Sequence, residues 1–234
     1  MGEGIIHSVL SGFSKRVEHR GEIVVIGLGR FGSSLGTTLV SMGFEVLGVD
    51  TDPERVQDMA GLLTQVVEAD TTSERALRQL GAADAVTVAV CIGSDIEASV
   101  LTTAALSDLG VPNIWAKAIS HPHGKILQRV GAHHVVFPEA EMGSRVAHLV
   151  TGQIVDYVAL DDDFVLAELF APDEFVGVAL GDSDLRAKYH VTVVCVKPEG
   201  GQFTYADRAT VLSSDDLIVI AGHRSHVGRF TSTR

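Results

Sequence analysis

Six consecutive residues, Gly27-Leu28-Gly29-Arg30-Phe31-Gly32, carry the most specific chemistry in the chain. They follow a β-branched run, Ile23-Val24-Val25-Ile26, and open a segment from Phe31 to Met42 with helical spacing of apolar residues. In that setting a G-x-G-x-x-G pattern cradles phosphate. The first glycine permits a tight turn, the second lets the backbone approach a phosphate, and the third lets the helix pack on the sheet. The helix N-terminus adds free N–H groups and a partial positive charge. Asp50 ends the next strand-like run, Phe44 to Val49, where it can accept hydrogen bonds from ribose hydroxyls, and Thr51 beside it belongs to the same pocket. The Asp50 charge repels a 2′-phosphate, and the residues directly after it include no arginine. NADP is therefore disfavoured.

Other residues cluster around this motif by position. Arg30 places a guanidinium in the phosphate loop, suited to bidentate phosphate bonds. Two phosphates are already served by the helix N-terminus, so an added fixed charge suits a third, and ATP or ADP is preferred to NAD. The alternative for Arg30 is a surface pair with an acid. Asp70 and Thr71 end a third strand at the adenine side, where they bond the adenine edge, cap the next helix, or do both. Ile92 and Gly93 end a fourth strand and pass beneath the nucleotide. Lys117 ends a fifth and reaches the phosphates, or is simply solvated.

These positions depend on a repeating frame. From Glu22 to about Glu139 strand and helix signals alternate. Strands are expected at Ile23–Ile26, Phe44–Val49, Gln65–Val67, Ala85–Val90, Asn113–Ala118 and His134–Phe137, each followed by a helix. Asp52-Pro53 starts one helix as N-cap and first residue, Thr72 or Ser73 caps another, and glycines at 81, 110 and 131 close three of them. The fold class is α/β: a Rossmann-type doubly wound parallel sheet, joined to a small α+β C-terminal domain. Glu141 to Gln153 reads as a connector helix with Met142, Val146, Leu149 and Val150 on one face. Beyond it come four strands, Ile154–Leu160, Phe164–Phe170, Val191–Val196 and Asp216–Ala221, and a short helix from Leu185 to Tyr189. The domains are then an extension at 1–20, the nucleotide domain at 21–140, the connector at 141–154 and the C-terminal domain at 155–234.

Composition narrows the function. With 234 residues, 46% hydrophobic and 21% charged, the chain is an ordinary globular protein. A net charge of -12 without a basic patch argues against nucleic acid and against an anionic membrane surface. The apolar runs are strand-sized, too short to span a bilayer. Cys91 and Cys195 sit in strand-like runs and read as reduced buried thiols of a cytoplasmic chain. Met1–Arg20, apolar at helical spacing and then basic, is an interfacial or partner-binding helix or a loosely ordered extension. A dehydrogenase of this fold needs a substrate domain with a general acid or base, and the C-terminal part offers no acid–base pair. His121, His123, His133 and His134 match no standard metal spacing. The chain is read as a nucleotide sensor, not an enzyme; the alternatives are an NAD(H)-binding regulator and an NAD-dependent oxidoreductase.

Four motifs in order resemble one family: Ile26-Gly27-Leu28-Gly29-Arg30-Phe31-Gly32, Pro112-Asn113-Ile114-Trp115-Ala116-Lys117, Pro138-Glu139-Ala140-Glu141-Met142-Gly143 and Leu185-Arg186-Ala187-Lys188-Tyr189. They are similar to the RCK (KTN) cytosolic regulatory subunits of Ktr/Trk-type potassium uptake systems, over about residues 21 to 230. The resemblance implies homodimers assembling into an octameric ring that docks on a potassium-conducting membrane subunit at the inner face of the membrane. It implies gating by ATP against ADP. It implies that Arg30 reaches a γ-phosphate and that Glu139 joins phosphates through a divalent cation or Na+, a carboxylate near phosphates being repelled unless a cation lies between. The other reading of Glu139 is an acid favoured at a helix start. Part of the family binds cyclic di-AMP, with Arg186 as the matching contact; the alternative for Arg186 is a surface salt bridge. Many relatives carry Gly-Asp-Ala-Thr where this chain has Ala69-Asp70-Thr71-Thr72, which leaves ATP against NAD open.

Overall fold

The computed structural model describes residues 22–150, 154–161 and 163–232. The extension at 1–20 and the end of the connector at 151–153 lie outside the described residues. The chain divides into two compact units, one ending at Ala140 and the other beginning at Glu141.

In the first unit strands β1 (Ile23–Ile26), β2 (Val46–Asp50), β3 (Gln65–Glu68), β4 (Thr87–Val90), β5 (Ile114–Lys117) and β6 (His134–Val136) form one sheet. Its order is β3-β2-β1-β4-β5-β6, and every pair is parallel. The order reverses between β1 and β4, and ligands of open α/β sheets bind at such a switch point, beyond the carboxyl ends of the strands. Ile26 and Val90 are register partners there, so the two chain exits, Gly27 and Cys91, start side by side.

The strands bury both faces, as the period of two requires. Val24, Ile26, Leu47 and Val49 join one core with Leu77, Leu106 and Leu127, while Val25, Val46 and Leu28 join the other with Met59, Leu63 and Cys91. The connecting helices are α1 (Arg30–Ser41), α2 (Pro53–Met59), α3 (Glu74–Gln79), α4 (Ile96–Asp108) and α5 (His121–Arg129). Asp52, Ser73, Asp95 and Ser120 cap α2 to α5, each side chain accepting a first-turn N–H. Helix α4 is buried even where it is polar: Ser99, Thr102 and Thr103 are inaccessible, and Thr103 Oγ1 donates to the Ser99 carbonyl at 2.8 Å.

Helix α6 runs Pro138–Val150 and starts three residues before the expected Glu141. Proline is suited to a first helical position because its missing N–H has no partner there anyway. Glu139 consequently lies inside the first turn.

The second unit is an antiparallel sheet of β7 (Asp156–Ala159), β8 (Phe164–Phe170), β9 (Val191–Lys197), β10 (Thr204–Tyr205) and β11 (Leu217–His223), ordered β10-β9-β11-β8-β7. Helices α7 (Leu185–Tyr189) and α8 (Arg224–Thr231) pack with it. Phe230 stacks on Phe175, with centroids 5.7 Å apart, and meets Tyr189 edge-on at 5.2 Å. Arg145 of α6 bonds Asp156 of β7 at 2.6 Å. The strand β10 and the helix α8 had no counterpart in the expected pattern. No helix among the described residues is long and apolar enough to cross a membrane.

Candidate phosphate-binding site

The loop between β1 and α1 separates its three glycines by role. Gly27 has φ 93°, a left-handed conformation, and a Cβ there would lie 3.0 Å from the backbone of Cys91 and Ile92. A Cβ on Gly32 would lie 1.9 Å from the Gly27 carbonyl oxygen. Both glycines are demanded by the fold. Gly29 is not: its φ of -69° and ψ of -174° suit any residue, and a Cβ there would meet nothing within 4 Å. Its missing side chain leaves the loop backbone open to a ligand.

The start of α1 also differs from its neighbours. Gly29 is its N-cap and supplies no side-chain bond, and no acidic residue lies in its first turn. The four helices after it carry side-chain caps, so α1 leaves its first N–H groups for something outside the chain. With exposed Arg30 as its first residue, this end fits a phosphate. Ser33 Oγ donates to the Leu28 carbonyl at 2.6 Å and steadies the loop.

Asp50 is 7% exposed. Its Oδ2 accepts from the Leu28 N–H at 2.6 Å, and its Oδ1 accepts from the Asp52 N–H at 3.0 Å. The expected ribose carboxylate is therefore also the strut that holds the phosphate loop. An arginine does stand beside it: Arg55 on α2 lies 3.5 Å from Asp50 and 3.3 Å from Asp52. This amends the reading of the bare sequence after Asp50. One helical turn brings back a cation that the next two residues do not show. Thr51 is exposed at the same corner.

The third strand's end behaves differently from the adenine-edge expectation. Thr71 is 4% exposed and turns inward, its hydroxyl 3.0 Å from that of Thr102 on α4. Only its backbone remains for a ligand. Asp70 is exposed, and its Oδ1 accepts from both the N–H and the hydroxyl of Thr72, which holds its carboxyl below the usual range. Ser73, not Thr72, caps α3.

Across the switch point the structure brings together residues distant in sequence. The Lys117 ammonium at the end of β5 lies 2.6 Å from Glu139 Oε1 on α6. It also lies 5.8 Å from the ring centre of Phe31 on α1, and a Cβ on Gly93 would come within 3.1 Å of it. The Lys117 hydrogen bond is the chief cause that holds the Glu139 carboxyl below the usual range, and the Arg30 charge adds to it. Half-buried Ile92 precedes Gly93 behind the loop. The pairing of Lys117 with Glu139 has no signal in the sequence beyond the two strand ends lying side by side.

The remaining candidates have structural partners. His133 Nδ1 accepts from the Ile114 N–H at 3.0 Å, His134 stacks on Trp115 with centroids 4.2 Å apart, and His121 meets Phe137 at 5.0 Å. Buried His123 accepts from the Ile119 N–H at 3.4 Å, and burial lowers its basicity. Among the described residues no three His, Cys, Asp or Glu side chains converge as metal ligands. In the second unit Arg186 is exposed and donates to Thr192 Oγ1 at 3.1 Å. Beside it Lys188 and Tyr189 both bond Glu174.

Cys91 backs the loop. Burial pushes its thiol up to about 12, although the Lys117 charge acts against the shift. A thiol that stays protonated is a poor nucleophile. Iodoacetamide at pH 8 is expected to leave Cys91 unmodified in the folded protein and to alkylate it in denaturant. Peptide mass mapping reads the difference, and labelling at equal rates in both states would refute the buried placement.

Comparison with known proteins identifies the family. The TrkA-N domain matches residues 23–138 and the TrkA-C domain residues 165–233. Ktr system potassium uptake protein C of Bacillus subtilis (strain 168) is 38% identical over 211 residues, which cover 89% of this chain and 95% of that protein. Ktr system potassium uptake protein A of the same organism is 37% identical over 210 residues, covering 89% and 95%. Among solved structures the GsuK RCK domain superposes with a TM-score of 0.62 at 21% identity, over 93% of this chain and 48% of that longer one. At that identity the likeness concerns the fold.

Proposed function

The chain belongs to the family of the Ktr potassium uptake proteins, built from a TrkA-N and a TrkA-C domain, and on that premise we propose that it is a regulatory subunit that senses adenine nucleotides. The family is one of potassium transport proteins, not enzymes. The observation that carries the sensing role is the uncapped start of α1, open at Gly29, with Arg30, Lys117 and Glu139 gathered around it.

In this reading the N–H groups of the first turn hold two phosphates, and Arg30 with Lys117 serves a third. Asp50 turns a lone pair toward the ribose while its other bonds keep the loop in register. A divalent cation or Na+ between Glu139 and the phosphates would supply the positive charge that lets two anions share the site. ATP and ADP differ in charge where these three side chains stand, so each favours a different arrangement, and that differential affinity is the signal. The signal reaches a potassium-conducting membrane subunit through a homo-oligomeric ring at the cytoplasmic face. Cyclic di-AMP at Arg186 would act on the second domain.

A second reading, NAD(H) in place of ATP, is favoured by the ion pair itself. With Lys117 held by Glu139 at 2.6 Å, the α1 N-terminus alone suffices for the two phosphates of a dinucleotide. Calorimetric titration with ATP, ADP and NADH, each with and without Mg2+, decides between them. Micromolar ATP binding that tightens with Mg2+ is expected. Binding of NADH alone transfers the assignment to the second reading, and no heat with any of the three overturns the sensor.

A further inference from the structure

The Lys117 ammonium and the Glu139 carboxylate are held unequally. The Lys117 side chain is 12% exposed, and its end is enclosed by the ring of Phe31 and by the backbone at Gly93, where even a methyl group would stand 3.1 Å away. The Glu139 side chain is 62% exposed on the first turn of α6. If the pair parts, the ammonium stays in place and the carboxylate is the member that moves. Arg30, the other cation at the phosphate end, attracts the same carboxylate.

Resting on the nucleotide reading above, we propose that Glu139 is an internal competitor for the phosphate position: its carboxylate occupies Lys117 until a nucleotide phosphate displaces it. A carboxylate and a phosphate oxygen seek the same charge-assisted bond from an ammonium, and their mutual repulsion, with no cation between them, sets the two in competition for Lys117. A ligand with no phosphate at that position gains nothing by opening the pair. A ligand with a phosphate there exchanges one ion pair for another and sets Glu139 free. The freed carboxylate then faces phosphate, where it either turns to solvent or takes up a cation. Its position in the first turn of α6 is favourable for a negative charge with or without Lys117, so the helix does not oppose the release. Glu139 in this way makes the site selective for phosphate charge, and couples occupancy to the start of the helix that continues from Pro138 to Val150.

The test is a double-mutant cycle without divalent cation, using adenosine, AMP, ADP and ATP on the full chain. Glu139→Gln is expected to tighten ATP about fivefold, the scale of an ion pair of about 1 kcal/mol, and to leave adenosine, AMP and ADP unchanged, because none of these places a phosphate at Lys117. In a Lys117→Met background the same substitution is expected to give no gain, because nothing is being withheld. Plain repulsion between Glu139 and phosphate predicts the opposite, a gain at least as large without Lys117, and that result overturns the proposal. So does an unchanged affinity in the single variant. If Lys117→Met binds too weakly to titrate, the ammonium signal of 15N-lysine-labelled protein answers instead. Wild-type and Glu139→Gln signals of Lys117 should differ without nucleotide and coincide with ATP bound, and signals that stay apart overturn the exchange. No binding by any variant overturns the nucleotide reading beneath it.

Discussion

Gly32→Ala is expected to destabilise the first unit by about 3 kcal/mol or more, whereas Gly29→Ala, three residues away, should leave stability within about 0.5 kcal/mol and still remove phosphate binding. The two outcomes follow from where each new methyl group would go. At Gly32 it would stand 1.9 Å from the carbonyl oxygen of Gly27, and the atoms on both sides are backbone. Neither can yield unless α1 lifts off the sheet, and the helix start proposed to hold the phosphates would lift with it. At Gly29 the methyl group meets no protein atom within 4 Å, and the backbone angles are ordinary for alanine. It occupies only the approach to the first-turn N–H groups. Urea unfolding followed by the fluorescence of Trp115, the single tryptophan, reports on this unit, and nucleotide titration reports on the site. Undiminished ATP binding in a stable Gly29→Ala protein would show that phosphates do not approach here.

Asp50→Ala is expected to lower stability by about 3 kcal/mol and to weaken nucleotide binding together with it. The carboxylate is 7% exposed, and Leu28, whose N–H it accepts at 2.6 Å, is 3% exposed. Alanine leaves that buried N–H without a partner, and an orphaned buried donor costs more than the net worth of the bond it lost. The Asp52 N–H at 3.0 Å and the Arg55 guanidinium lose the same acceptor, which loosens the entry to α2. Asp50→Asn should cost less, because one oxygen still accepts, but its amide points two hydrogens at the remaining donors. A residue serving ribose alone would behave differently: alanine would cut nucleotide affinity and leave the unfolding midpoint of the free protein unchanged. Equal midpoints for wild type and Asp50→Ala would remove the strut assignment.

Much of this was legible in the residue order because its causes are local. The continuous apolar runs Val24-Val25-Ile26 and Val46-Leu47 mark strands buried on both faces, and these form β1 and β2. Asp52 and Ser73 stand where an N-cap was expected, and both accept a first-turn N–H. The glycine loop, the acid at the end of β2 and the strand-helix alternation together gave the doubly wound sheet. Short elements were harder to read. Helix α8 has Val227 and Phe230 as its buried apolar pair, too few for a period to show, and β10 has two residues. Both take their shape from the sheet they join and not from their own propensity.

The sequence by itself determined the sheet, the glycine turn between β1 and α1, and the family, since each is written in spacings of a few residues that the backbone turns directly into geometry. Tertiary structure alone decided which side chains meet. It put Lys117 against Glu139, twisted Thr71 inward to Thr102, returned Arg55 to Asp50, and assigned Gly32 to packing while leaving Gly29 open. The physical reason is that contact energies fall off within a few ångströms. Partners far apart along the chain are chosen by how strands and helices stack, and no local pattern encodes that distance.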